Sequence, residues 1–199
     1  MDSAVNDEML MSRFQAGDRA AFSALVRRYQ GPLYNFVFRT LRSKEAAEDV
    51  VQDAFVRVVQ NAQEFQFSAK FSTWLFTIAR NLCIDQIRKA TVRKSVSLDQ
   101  KKGGEEDAPA LGEQIADPKA KTEAVFEDAE LRTQLEQAIG QLPDEQREVF
   151  LLREVSDLPF KEIANITGVS ENTVKSRMRY ALERLQEALE SQRALHQQS

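Results

Sequence analysis

The stretch LPFKEIANITGVSENTVKSRMRYALERL, residues 158–185, reads as two helices joined by a tight turn. Pro159 suits the first turn of a helix, and Gly168 can adopt the backbone conformation that lets the chain turn. Ser170 then has the position and the side chain of an N-cap for the second helix. This pattern predicts a helix-turn-helix.

The second of these helices has one apolar side. Val174, Met178, Ala181 and Leu185 recur at helical spacing, so we expect them to pack inward. The other sides carry cations for phosphates and polar groups that can reach base edges in a major groove. These outward side chains are Glu171, Asn172, Lys175, Ser176, Arg177 and Arg179. A solvated, charged helix in an ordinary bundle is the alternative that the spacing leaves open.

The composition is that of a globular protein of one or two domains. The chain has 199 residues, of which 42% are hydrophobic and 29% charged. No run is long enough to cross a membrane, and the first ten residues do not resemble a secretory signal. The single cysteine, Cys83, has no partner for an internal disulfide. We therefore expect a cytoplasmic protein without membrane insertion.

Charge is distributed unevenly along the chain. The formal net charge is −4, which argues against a protein that coats DNA uniformly. Residues 1–97 hold 14 Lys plus Arg against 10 Asp plus Glu, a net of +4, whereas residues 122–199 hold 9 against 15, a net of −6. Within this acidic part, basic residues concentrate in the second helix of the predicted helix-turn-helix.

The N-terminal part predicts a helical bundle. An apolar stripe from Phe22 to Leu41 keeps helical spacing, and we expect a kink or short break at Gly31-Pro32. Ser43 is the expected cap of the next helix. That helix places two carboxylates and an amide on one face, because i, i+3 and i+4 positions are neighbours. They are Asp49, Gln52 and Asp53, and on spacing alone such a face is usually only solvated.

An aromatic segment follows. Phe65, Phe67, Phe71 and Trp74 fall within ten positions, and they are either core residues under a loop or planes for stacking an unpaired base. Cations that could hold a strand backbone lie close by, at Lys70, Arg80, Arg88, Lys89, Arg93 and Lys94. Asn81 could read a base edge.

The helical spacing of apolar residues ends near Ser95 and resumes near Thr122. The sequence therefore predicts four segments. Residues 1–94 form the first domain, 95–121 a flexible polar linker, 122–190 the second domain, and 191–199 a frayed tail. As a coil the linker would span about 28 Å on average and roughly 85 Å when drawn out. The predicted fold class is all-α, with two small helical domains.

The sequence contains few residues of the kinds that carry out catalysis. The only histidine is His196 in the tail, and neither a nucleotide-binding glycine loop nor a cluster of metal-ligand residues is present. We expect no enzymatic activity, no cofactor and no metal.

Three segments together resemble a bacterial RNA polymerase sigma factor of the sigma-70 family, in its extracytoplasmic-function group. They are AEDVVQDAFVRVV (residues 47–59), FSTWLFTIARN (71–81) and LPDEQREVFLLREVSDLPFKEIANITGVSENTVKSRMRYALERL (142–185). The resemblance covers about residues 10 to 190. It implies two family regions, the second and the fourth, joined by a linker.

The resemblance also implies partners and site residues. The helix with Asp49, Gln52, Asp53 and Phe55 would dock on the clamp helices of the largest polymerase subunit, and the beta subunit is a further expected partner. The minus-ten strand would meet Phe65, Phe67, Lys70, Phe71, Trp74, Arg80, Asn81, Arg88 and Lys89. Of these, Trp74 is expected mainly to pack, and Phe65, Phe67 and Lys70 are the better strand contacts.

The helix-turn-helix would read the minus-thirty-five duplex with Ser170, Glu171, Asn172, Thr173, Lys175, Ser176, Arg177 and Arg179. Tyr180 stands where relatives often carry a basic residue. An anti-sigma factor is a possible further partner. Two rival hypotheses are a stand-alone helix-turn-helix regulator and an all-helical adaptor that binds only proteins.

Overall fold

The computed structural model describes residues 5–100 and 124–196, with side chains in 5–93 and 132–191. Both stretches are helical, which confirms the all-α prediction. The helices are α1 (Asp7–Gln15), α2 (Arg19–Leu41), α3 (Lys44–Gln60), α4 (Phe71–Gln100), α5 (Ala124–Gln141), α6 (Asp144–Phe150), α7 (Phe160–Thr167) and α8 (Glu171–His196). None of the helices in the described ranges combines the length and the apolar character needed to cross a membrane.

The first domain consists of α1 to α4, and α2 contacts the other three helices. Its core is built from apolar residues at helical spacing, among them Leu25, Phe36 and Phe76. The helix starts follow from the sequence: Asp18 accepts a hydrogen bond from the Ala20 backbone at 2.9 Å and caps α2. The predicted N-cap at Ser43 is likewise confirmed.

The helix α2 runs through Gly31 and Pro32, so of the kink or short break predicted there the break is absent, and the kink stays a prediction. A residue before proline is normally kept out of the helical conformation by a clash that involves its Cβ, and glycine lacks this atom. The helix also continues because its second half is anchored in the core by Leu33, Phe36 and Val37, all fully buried or nearly so.

Two helix ends differ from the sequence-based expectation. The helix α4 continues through Gln100, six residues into the segment predicted as linker. The helix α8 runs to His196, into the segment predicted as a frayed tail. The Ser191 hydroxyl still donates to the Glu187 carbonyl one turn earlier, at 2.8 Å. The rest of the predicted linker, residues 101–121, lies outside the described residues.

The second domain consists of α5 to α8. A widened turn lies between α6 and α7. The chain after α6 forms a π-helical turn, Leu151–Val155, in which the Ser156 amide donates to the Leu151 carbonyl at 3.2 Å. Arg153 closes the turn by donating to the Leu158 carbonyl at 3.1 Å, and its guanidinium lies over the Phe160 ring. This turn aims α7 at the first domain.

The helix-turn-helix comprises α7 and α8. Gly168 ends α7 in the left-handed conformation, with φ of 73°. Ser170 then accepts a hydrogen bond from the Thr173 backbone at 3.1 Å, which confirms the predicted cap. All four residues of the predicted inward stripe are buried: Val174, Met178, Ala181 and Leu185.

The two domains pack against each other, which the sequence did not predict. The helix α7 lies on α4, and the π-helical turn contacts α2. We call this contact region the domain junction. Within the described side chains, three ion pairs cross it, and in each a cation of the first domain meets an acid of the second. They are Arg39–Glu136, Lys70–Glu162 and Arg80–Glu148.

Replacing Gly168 with Ala is expected to destabilise the second domain by about 1–2 kcal/mol, because an L-residue is strained at this positive φ. Asn165→Ala, an exposed change in the same helix, is the control and is expected to stay within about 0.5 kcal/mol. Urea unfolding followed by circular dichroism measures both. Equal losses in the two variants would contradict the assigned role of the turn.

Candidate nucleic-acid interface

The acidic face of α3, which we define as Asp49, Gln52 and Asp53, is exposed along its whole length. The opposite side of the helix carries Val50, Ala54 and Val58, which are fully buried, so core packing fixes the direction in which the acids point. The face is therefore held rigidly and is open to a partner.

Three more residues of α3 lie near this face. Phe55 is half-buried, with its ring edge-on to Phe22 at 6.3 Å, so it supports the helix and has only part of its surface available. Val56 and Val59 are exposed at 44% and 47%, and sequence analysis did not single them out. Their positions, seven residues after Asp49 and Gln52, extend the acidic face with an apolar end.

The aromatic segment divides into core and surface. Phe71 is fully buried and Phe65 nearly so, and the Phe65 ring lies 5.1 Å from the half-buried Trp74 ring. Only Phe67 projects, at 52% exposure, with its ring edge-on to Phe65. Phe65 and Phe71 therefore serve the core in this structure, and their contact with a strand stays a prediction. Trp74 packs mainly inward, as expected.

Polar residues continue from this loop along α4. Lys70 precedes the helix, Ser72 and Thr73 lie in its first turn, and Arg80 follows two turns later. Further along, the remaining predicted strand contacts are exposed to solvent: Asn81, Arg88 and Lys89. The sequence analysis omitted Ser72 and Thr73, which have no motif of their own and stand out only through their contacts. We call Phe67, Lys70, Ser72, Thr73 and Arg80 the strand-binding surface.

Acids of the second domain occupy part of this surface. The Glu162 carboxylate lies 2.5 Å from the Lys70 ammonium and accepts hydrogen bonds from the Ser72 and Thr73 hydroxyls at 3.1 and 3.0 Å. The hydrogen bond to Glu162 raises the pKa of Lys70. Arg80 donates to both oxygens of Glu148, at 2.6 and 3.4 Å.

The helix α8 presents a polar face to solvent. Five predicted duplex contacts are exposed here, namely Glu171, Asn172, Lys175, Ser176 and Arg179, and we call the last four the recognition face. The cations on this face are held only by neighbours on their own helix, Lys175 by Glu171 at 2.7 Å and Arg179 by Glu183 at 3.7 Å. The Arg179 guanidinium also lies 4.9 Å from the centre of the exposed Tyr180 ring.

Three other predicted duplex contacts have structural roles in α8. Arg177 has a side chain only 19% exposed, and it donates to Glu145 of α6 at 2.6 Å. In this structure Arg177 therefore braces α8 against α6, and its contact with a duplex stays a prediction. Ser170 caps the helix, and its hydroxyl lies 2.8 Å from the half-buried Thr173 hydroxyl.

The described side chains give no sign of reaction chemistry. Burial raises the pKa of the Cys83 thiol to about 12, which keeps it protonated at neutral pH. Burial and a hydrogen bond to Asp7 raise the pKa of Tyr29. No group of three or more metal-ligating side chains occurs in the described part of the chain.

Comparisons with known proteins match both domains. The family described as Sigma-70 region 2 matches residues 25–93, and the family described as Sigma-70, region 4 matches residues 132–185. The ECF RNA polymerase sigma factor SigW of Bacillus subtilis is 35% identical over 179 residues, which is 90% of this chain and 94% of that protein. The chain belongs to the extracytoplasmic-function group of sigma-70 factors.

Further relatives agree with this assignment. The ECF RNA polymerase sigma-E factor of Escherichia coli K12 is 33% identical, with 89% of this sigma factor and 91% of that protein covered. Among solved structures, RpoE in complex with the anti-sigma factor NepR from Bartonella quintana has a TM-score of 0.65 at 25% identity, covering 85% and 96%. CnrH, solved with the cytosolic domain of CnrY, shares the fold, with a TM-score of 0.66 at 23% identity, covering 93% and 97%.

The sigma factor therefore directs RNA polymerase to promoters through its regions 2 and 4, and it is a non-catalytic subunit. Region 2 lies in the first domain and region 4 in the second. Family membership sets aside both rival hypotheses, the stand-alone regulator and the adaptor that binds only proteins.

The division of the aromatic segment can be tested with two substitutions in the sigma factor. Phe71→Ala is expected to lower the free energy of unfolding by about 3–5 kcal/mol, because it empties a fully buried site. Phe67→Ala is expected to change it by less than about 0.5 kcal/mol. Chemical denaturation of both variants measures the difference. A comparable loss in Phe67→Ala would show that its ring belongs to the core.

Proposed function

We propose that three surfaces of this sigma factor divide the work of initiation. The acidic face of α3 docks on the largest subunit of core polymerase, the strand-binding surface holds the opened minus-ten element, and the recognition face reads the minus-thirty-five duplex. One observation carries the proposal: each surface lies on the outer side of a helix whose inner side is core, or, for Phe67 and Lys70, in the loop that leads into such a helix.

Docking through α3 is supported by the combination of exposed acids with exposed apolar side chains. Charged groups at the rim of an interface steer association, whereas apolar groups contribute by leaving water. Asp49 and Asp53 supply the first kind of group, and Val56 and Val59 the second. A complementary partner surface would be basic with an apolar centre, and the proposed partner surface is the clamp helices. Region 4 would in addition meet the beta subunit.

Replacing Asp49 and Asp53 together with Ala is expected to weaken binding to core polymerase about tenfold or more, because both carboxylates would lose charged partners. The charge-matched control is Glu64→Ala with Asp85→Ala, which removes two exposed acids away from α3. Fluorescence titration of labelled sigma factor with core polymerase measures both affinities. Equal weakening in the control would exclude a specific role for the acidic face.

The strand-binding surface is suited to a single strand. Phe67 offers an exposed ring for stacking a base, and Lys70 and Arg80 offer charge for the backbone. Ser72 and Thr73 add hydroxyl donors of the kind that contact phosphate oxygens. Asn81, Arg88 and Lys89 lie exposed further along α4 and would extend the contact. Phe65 and Phe71 contribute indirectly, by holding the loop in place.

The recognition face fits a major groove. A helix of this kind enters the groove with its N-terminal residues at the base edges, and Asn172 and Ser176 are on that part of α8. Lys175 and Arg179 then reach phosphates or base edges, while Arg177 holds the helix against α6. This arrangement lets the helix read sequence without altering the fold of the domain.

Lys175→Ala with Arg179→Ala is expected to reduce the salt slope of promoter binding by about 2, because each phosphate contact contributes about one released counterion. Arg177→Ala is the comparison and is expected to leave the slope unchanged, since its guanidinium is committed to Glu145. The measurement is promoter binding by the holoenzyme over a salt series. A slope lowered equally by Arg177→Ala would return this residue to the contact surface.

An anti-sigma factor is proposed as a further partner. The supporting observation is the similarity to RpoE, which was solved in complex with the anti-sigma factor NepR. Because the polymerase that this sigma factor serves acts on the chromosome, the proposed location is the cytoplasm.

A further inference from the structure

The helix α1 holds the start of the loop between α3 and α4 through the side chain of its last residue. The Gln15 side-chain amide donates to the Ala62 carbonyl at 2.7 Å and, at a longer distance of 3.5 Å, to the Phe65 carbonyl. In return, the Gln63 side-chain amide donates to the Gln15 carbonyl at 3.2 Å. Carbonyls in the last turn of a helix have no partner within it. The end of α1 and the start of the loop thus satisfy each other's backbone groups.

The same helix holds the other end of the loop. The Phe71 backbone amide donates to the Glu8 carboxylate at 3.2 Å. Phe71 is the first residue of α4, where a backbone N–H has no acceptor within the helix and the helix dipole favours an acid. Glu8 and Gln15 are seven residues apart and therefore lie on the same side of α1. One side of a single helix thus contacts both ends of the loop.

The exposed part of the loop lies between these two contacts. Residues 66–70 are all exposed, whereas Phe65 before them and Phe71 after them are buried. Both loop residues of the strand-binding surface, Phe67 and Lys70, belong to this exposed segment. The Phe67 ring also lies edge-on to the Phe65 ring at 5.4 Å. A short segment with both ends fixed has few backbone conformations, so the directions of its side chains are restricted.

We propose that Gln15 and Glu8 are positioning residues, which hold residues 66–70 in the conformation that captures the opened minus-ten strand. This inference rests on the proposed function of the strand-binding surface. Both residues act through the loop backbone, and the exposed loop side chains make the strand contacts. The helix α1 precedes residues 25–93, which the region 2 family matches, so the role lies outside that match. Without the two contacts the competent loop conformation is less populated, and the apparent affinity for the strand falls in proportion.

The test uses the holoenzyme with Gln15→Met, which removes the amide donor and keeps a side chain of similar length. We expect promoter opening to slow about fivefold, because the competent fraction of the loop decreases. Stopped-flow fluorescence of 2-aminopurine in the minus-ten element measures the rate. Affinity for core polymerase is expected to stay at the wild-type value, because the acidic face of α3 is unchanged. The matched control, Gln30→Met at an exposed position of α2, is expected to leave both values unchanged.

A double variant separates positioning from general destabilisation of the first domain. If Gln15 acts through the loop, adding Gln15→Met to Phe67→Ala should slow opening by less than about twofold beyond Phe67→Ala alone. The full fivefold effect in that background would show a path that bypasses the loop and would overturn the inference. So would slowing that the Gln30→Met control reproduces, or an equal loss of affinity for core polymerase.

The second contact is tested independently at Glu8. Glu8→Met removes the acceptor of the Phe71 amide, whereas Glu8→Gln keeps an oxygen that can accept the same hydrogen bond. We expect Glu8→Met to slow opening, and Glu8→Gln to stay within about twofold of wild type, since the loss of an exposed charge at a helix start is a small effect. Equal slowing in the two variants would assign the effect to charge and overturn the positioning role of Glu8.

Loop order can be measured directly by electron paramagnetic resonance. A spin label at Ser68→Cys, after Cys83→Ala, lies within the exposed segment. We expect Gln15→Met to increase the mobility of the label and Gln30→Met to leave it unchanged. Unchanged mobility in Gln15→Met would overturn the inference.

Phe67→Ala and Lys70→Ala separate this inference from the function on which it rests. If both variants open promoters at the wild-type rate, the proposed function of the strand-binding surface fails. If both are slow and Gln15→Met is not, only the positioning role of α1 fails.

Discussion

The ion pair between Lys70 and Glu162 joins the two halves of the structure. A buried carboxylate requires partners, and those of Glu162 lie at the start of α4 in the other domain. Together with the buried Ile163 and Ile166, this contact holds α7 against α4. Arg42 adds a contact at the edge of the junction by donating to the Gly140 carbonyl.

The protein has a formal net charge of −4, and the cations on its two proposed DNA-binding surfaces are paired with acids. A free sigma factor with a strongly basic surface would bind DNA non-specifically, through the phosphates of any sequence. Here Lys70 and Arg80 are neutralised across the junction, and Lys175 and Arg179 by acids on α8 itself. On the proposed function, two individually weak contacts would gain affinity when one polymerase brings both to the same DNA. Specific binding would thereby be tied to the assembled enzyme.

Local sequence signals predicted the local structure well. The helix caps at Ser43 and Ser170 and the glycine turn were readable because each depends on residues within a few positions. The acidic face of α3 was readable because helical periodicity alone decides which side is exposed. At Gly31-Pro32 the local rule left a kink or a short break open, and the helix continues without a break into a half whose apolar side chains are buried.

Distant contacts could not be predicted in the same way. The aromatic segment has no periodicity, and which rings are buried depends on residues such as Tyr29, whose ring lies 5.4 Å from that of Phe71. From the sequence, Arg177 is predicted to point outward. Its contact with Glu145, 32 residues away in the chain, is visible only in the structure. Glu162 likewise resembles any acid in the first turn of a helix, and only the domain junction shows its role.

The most direct test of this account is the distance between the domains, measured by pulsed electron paramagnetic resonance. Spin labels would be attached at Gln66→Cys and Lys161→Cys, both exposed positions, after Cys83→Ala. The account predicts one short distance in the free protein and an increase of tens of ångströms, toward roughly 85 Å, on core polymerase with promoter DNA. The same short distance in both states would contradict it.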